Sequence, residues 1–192
     1  MTPGIALDEC QRLVRSPTCR GIKDRWIALR SGKIPSLQEF LSNPDPKLQP
    51  STVLVDVVSP EMLRIRLFAT ELVKVAGIEL TGANLLDFAG SSETAAELWK
   101  TTHLITDHPC GLWSHKLAST ASGRHVTIEE VSFPVVPFSG GAPCLASGIA
   151  LVKALEYRDT VFRLERYTDA CWIDIGFGVP KVDIAIHPLQ AT

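Results

Sequence analysis

The chain has 192 residues, 19 of them Lys or Arg and 21 Asp or Glu, for a formal net charge of −2. Hydrophobic residues make up 45% and charged residues 21%, with 13 Gly and 13 Pro. That length suits one domain with extensions, able to bury about 70% of its unfolded surface without a disulfide or metal staple, and the composition excludes wholesale disorder, a collagen-like chain and a strongly basic nucleic-acid binder.

The cysteines and the N-terminus bear on compartment. Five cysteines stand at 10, 19, 110, 144 and 171, an odd number with no CxxC pair, which argues against a secreted disulfide scaffold or a zinc ribbon. The first residues carry no basic start, and their short apolar stretch meets Asp8 and Glu9 at once, unlike a signal peptide. The apolar run Leu145 to Val152 is interrupted by Ser147 and Gly148 and falls far short of the roughly 20 residues of a spanning helix. The expectation is a soluble cytoplasmic protein with no membrane or nucleic-acid partner.

The elements follow in chain order. Ile22, Trp26 and Leu29 recur at spacings of four and three, which predicts a helix over about 18–30, closed by Gly32 and Pro35. Residues 43–51 carry three prolines and read as an irregular crossing loop. Val53 to Val58 is a β-branched run, and Leu63, Ile65 and Leu67 alternate with Arg64 and Arg66, so the two should form a hairpin with the arginines outward. A short helix is expected over 71–76, stopped by Gly77. A longer one is expected from Ser91 or Ser92 to about Thr106, with Ala95, Leu98, Trp99, Thr102 and Ile105 as its buried stripe. Three further strands are expected. The first has Trp113, His115 and Leu117 on one face, and the second runs from Val126 to Val135, with a change of phase near Glu129–Glu130 that suggests a β-bulge. The third runs from Cys144 to Leu151. The remainder reads as a mixed tail, in which Arg158, Arg163 and Arg166 interleaved with Glu156, Asp159 and Glu165 look like a solvated face rather than a nucleic-acid patch.

Two strands, inserted helices and three more strands make an α+β arrangement. The expected sheet has five antiparallel strands, helices on one face and a cleft between them. This is the layout of PAS domains, and particular segments sharpen the resemblance. They are Trp26 with Ile34-Pro35-Ser36, Leu48-Gln49-Pro50 leading into Val53–Val57, Arg64–Thr70, Gly77–Gly82, Glu130–Val135, and Ile173-Asp174-Ile175-Gly176. Across about residues 20–151 the chain resembles a family of single-domain bacterial PAS-like proteins. Leu37 stands where that family often has Arg after Pro-Ser, and Ala69 where it favours Gly. The resemblance implies an N-terminal tail (1–15), a PAS-like domain with its N-terminal helix (16–151, core 53–151) and a C-terminal extension (152–192). It also implies a sensory or interaction module without catalysis, acting through a separate signalling partner, with surfaces around Trp26 and Trp172 and a homodimer formed through the N-terminal helix. It names neither ligand nor cofactor.

Candidate ligand-binding residues are Phe68, Leu72 and Val75 at the bend and short helix, Trp99 and Trp113 as aromatic walls, His103 on the longer helix, and His115 as a polar group orienting a ligand. Each has a plainer alternative as core or helix-end residue. His103, Asp107 and His108 could form a metal or haem site, but Pro109 should break the helix there. Cys110 and Cys144 read as buried thiols rather than nucleophiles. Residues 71–106 lack the Cys in a polar Asn/Arg-rich helix that marks a flavin photosensor. Gly90-Ser91-Ser92, Gly140-Gly141 and Gly176-Phe177-Gly178 do not complete a phosphate loop or dinucleotide fingerprint. Two alternatives remain open: a small cone-like α+β enzyme using His115 or His103 as base, and a scaffold whose core is simply packed.

Overall fold

The computed structural model describes residues 2–42, 45–152 and 159–189 (side chain of Phe162 excepted). Asn43, Pro44, Glu156 and Arg158, part of the expected crossing loop and solvated face, lie outside the described residues. Strands β1 (Gly4–Ala6), β2 (Thr52–Ser59), β3 (Met62–Phe68), β4 (Gly111–Thr120), β5 (His125–Val135), β6 (Cys144–Leu151) and β7 (Val161–Asp174) form one sheet in the order β1-β7-β4-β5-β6-β2-β3. Helices α1 (Pro17–Leu29) and α2 (Leu37–Leu41) precede β2, and α3 (Thr70–Ala76) and α4 (Ser92–Asp107) are inserted between β3 and β4. The fold is α+β and PAS-like, with the five expected strands in the order β3-β2-β6-β5-β4, all antiparallel.

The sheet has seven strands rather than five. β7 pairs antiparallel with β4, and β1 lies parallel to β7. β7 escapes a period-two reading because its pairing with β4 shifts register three times and its first half mixes exposed Arg163 and Arg166 with half-buried Leu164 and Glu165.

Residue parity sorts the core into two layers. Leu54, Trp113, Val131, Phe133, Ala146 and Ile173 face α1 and α2. Val53, Val55, Leu112, Leu145 and Trp172 face α3 and α4. Both faces of the central strands are therefore buried, and this corrects the expected bulge at Glu129–Glu130: β5 runs in continuous register with β4 and β6. The change of phase arises because Val131, Phe133 and Val135 are buried under α1 while Ile128 is buried on the opposite face. The irregularity lies in β3 instead. Leu54 opposes Leu67 and Val55 opposes Ile65, so Arg66 is the extra residue. Leu67 thereby packs with the α1 layer and Phe68 with the other. Arg64 and Arg66 clasp the fully buried Asp56, with nitrogen–oxygen distances of 2.8 and 2.7 Å.

Local signals set the helix limits. Ser16 caps α1 by accepting from the Cys19 amide, with Pro17 opening the helix. Ser36 and Glu39 form a capping box on α2. Ser91 caps α4, and Gly77, at φ 73°, ends α3 in the left-handed region. Trp26 anchors α1: its ring stacks on Phe133 at 4.9 Å and Nε1 donates to the Pro134 carbonyl at 2.8 Å. α1 lies close on β6 at Gly148, where a Cβ would come within 2.8 Å of Ile22 Cγ1. Trp26 and Trp172 are both fully buried, so a partner surface around either would be made by neighbouring side chains and not by the rings.

Candidate functional site

The short helix α3 and the sheet line a partly open cavity of about 110 Å³. Its sheet wall is built by alternation: Val53 and Val55 from β2, Ile65 from β3, Ile128 from β5 and Ile149 from β6. The Arg66 bulge adds Phe68, and Leu72, Val75 and Ala76 of α3 form the roof. Leu85 and Phe88 from a single 3-10 turn (Leu85–Phe88) close one side, and Arg163 and Leu164 of β7 the other. No cysteine is among the lining residues. Two larger hollows, of about 670 and 570 Å³, are open troughs on the surface. We take the smaller one as the site because ligand sites are concave, mostly apolar and marked by a few convergent polar groups.

Lys116 of β4 and Glu130 of β5 form an ion pair of 2.6 Å on the cavity floor. Glu130 also accepts from the Ser132 hydroxyl at 2.7 Å, and Ser132 is 2.7 Å from the Ser147 hydroxyl. Lys116 lies over the Tyr167 ring at 5.1 Å, and the Tyr167 hydroxyl meets Thr101 of α4 at 2.8 Å. Burial pushes the Glu130 carboxyl up, but Lys116, Ser132 and Ser147 outweigh that and hold it below the usual range. Burial acts to lower the Lys116 ammonium, and Glu130 and Tyr167 raise it on balance. The pair is thus charged, and each partner stabilises the other where water is scarce. A second pocket of about 20 Å³ lies on the α4 side of the same pair, room for a single water.

Of the residues singled out from sequence, Phe68, Leu72 and Val75 come together on this cavity. The other four do not line it. Trp113 and His115 have the opposite parity on β4 from Lys116: Trp113 packs in the α1 layer and donates to Glu129 at 2.9 Å, with the His115 ring 4.7 Å away. Trp99 and His103 stack on each other along α4 at 5.2 Å, with His103 exposed. The two histidines therefore lie on opposite sides of the sheet. Among the described residues no group of three or more His, Cys, Asp or Glu is placed to hold a metal ion, and no helix is long and apolar enough to cross a membrane. Sequence reasoning missed Lys116 and Glu130. Their signal was parity: each stands out of step with a residue of the α1 layer on its own strand, Lys116 with Trp113 and Glu130 with Val131.

No protein-family model matches the chain, and no curated protein does. Solved structures that it resembles include a Rhodobacter sphaeroides LOV protein, at 14% identity and TM-score 0.43, covering 55% of this chain and 60% of that one. A fungal LOV domain photoreceptor matches at 18% identity and TM-score 0.45, covering 69% and 90%. The PAS domain of Bordetella pertussis BvgS matches at 15% identity and TM-score 0.39, covering 55% and 79%.

Proposed function

We propose that the protein is a PAS-like sensory module that binds a small, mainly apolar molecule between the sheet and α3. One observation carries this reading: the cavity of about 110 Å³ has mainly hydrocarbon walls, with Arg163 on one side, and a buried ion pair on its floor. This cavity is smaller than the apolar one of about 150 Å³ that holds benzene, so the largest ligand that suits it is a single small ring. A packed-core scaffold would leave no such space, and this favours binding over scaffolding.

Occupancy would be passed on through β5. Glu130 touches the cavity, and its chain neighbour Glu129, on the opposite face, accepts from the amides of Arg15 and Ser16 at the start of α1, at 2.7 and 2.6 Å. A ligand that moves Glu130 then alters how α1 is held, and the outward face of α1 is where a signalling protein or a second copy would read the change. The five buried thiols suit a reducing cytoplasm. Native mass spectrometry of gently purified protein tests the reading. A retained small molecule, lost from a Val75→Trp variant that fills the cavity, is the expected result. Equal retention by that variant would overturn it.

A further inference from the structure

The hydrogen bonding of the cavity floor defines which polar group it can accept. Each serine hydroxyl carries one hydrogen. Ser132 gives its hydrogen to Glu130, so in the contact between the two serines Ser147 is the donor. Ser147 is left with acceptor lone pairs only, and it lines the cavity. Glu130 has both carboxylate oxygens engaged, one by Lys116 and one by Ser132.

Lys116 carries three N–H donors. One goes to Glu130, and Nζ lies 5.1 Å from the centroid of the Tyr167 ring. The remaining N–H groups are available to a ligand. The floor therefore presents Lys116 as donor and Ser147, beside the remaining lone pairs of Glu130, as acceptor, beneath walls that include Phe68 and Phe88, with Arg163 at one side.

We infer that the cavity recognises a small phenol: an aromatic ring among the hydrocarbon side chains, with one hydroxyl that accepts from Lys116 and donates to Ser147. This rests on the cavity being a binding site. A single hydroxyl can both accept and donate, which suits a cavity this small. A free carboxylate would offer Ser147 no hydrogen and would sit beside the ionised Glu130, a like-charge contact. An amine would offer a second cation to Lys116.

The test is a titration of the full chain with phenol, anisole, toluene and benzoate, following the methyl resonances of Ile65, Ile128 and Ile149. Anisole keeps the acceptor and loses the donor, toluene loses both, and benzoate adds charge. Phenol should bind at least tenfold more tightly than toluene, with anisole between them and benzoate weakest. Ser147→Ala should bring phenol to the level of anisole while toluene binds as before, which also reports that the variant is folded. Equal affinity of phenol and toluene at these methyls would overturn the phenol assignment and leave the binding site standing. No response to any of the four probes would overturn the binding site itself.

Discussion

Glu129 and Glu130, adjacent on β5, carry their carboxylates to opposite faces of the sheet and hold different parts of the molecule together. Glu129 binds the first turn of α1 and the Trp113 indole, and Glu130 binds Lys116 and Ser132. Removing Glu129 strands two backbone amides and an indole N–H. Glu129→Ala should cost about 2–4 kcal/mol, read from urea unfolding, and should raise amide exchange in α1 before the rest of the sheet.

The same two carboxylates give stability a defined dependence on acid. For Glu129, burial raises the carboxyl and the hydrogen bonds from Arg15, Trp113 and Ser16 more than offset it. Like Glu130, it lies below its ordinary 4.5 when folded. A carboxyl with a depressed folded value adds stability that is fully present above its unfolded value and lost as pH falls through the folded one. The urea midpoint should therefore be level above about pH 5 and fall below pH 4.5. Glu129→Gln should lower it at pH 7 and flatten the acid slope, so that the two proteins converge under acid. An unchanged slope would refute the assignment.

Trp26 tests the seam between α1 and the sheet. Trp26→Ala removes a fully buried indole and should cost about 3–5 kcal/mol, whereas Trp26→Phe keeps one ring in the stack, loses the bond to the Pro134 carbonyl and part of the buried volume, and should cost less, about 1–3 kcal/mol. Equal effects would mean that the ring contributes no packing.

Gly148 gives a complementary test by close approach. A methyl group there meets Ile22 and the Cys19 backbone, so Gly148→Ala should destabilise by about 1–3 kcal/mol. A companion Ile22→Ala change removes the Cγ1 that the methyl meets, so the double variant should lose less than the sum of the two single losses, and additive losses would show that the two do not touch.

The thiols should be inert until the chain opens. Burial pushes Cys10 and Cys171 up to about 11 and Cys19, Cys110 and Cys144 up to about 12. A thiol-reactive dye at pH 8 should label the native protein at negligible rate and all five positions after unfolding. Fast labelling of any one in native buffer would contradict its burial.

The helices and the central hairpins were legible because each obeys a single period. α1 shows Ile22 and Trp26 one turn apart, and β2 is a β-branched run. β7 was hidden by its register shifts, and β1 has only three residues. The site was legible in part. Phe68, Leu72 and Val75 follow from the bend that leads into α3. Choosing between Trp113–His115 and Lys116 as the cavity-facing set was beyond alternation, because alternation gives two faces and does not say which one a helix covers. With both faces buried, a lysine and a glutamate there carry no mark in the sequence that tells a buried pair from a solvated one.

The pairing of β1 with β7 has a consequence for how copies of this chain meet. On that side β1 covers only Trp172–Asp174 of β7, and isolated bridges from Ala89 to Leu164 and from Ile186 to Tyr167 interrupt the rest of its outer edge. On the other side, the β3 backbone is already bonded at Leu63 and Ile65 to the loop carrying Ala83 and Asn84. Neither flank offers a long open ladder, which protects the protein from fibre-like stacking. Self-association must go through side chains on helices and loops, so its strength can be altered by surface substitution without disturbing the sheet.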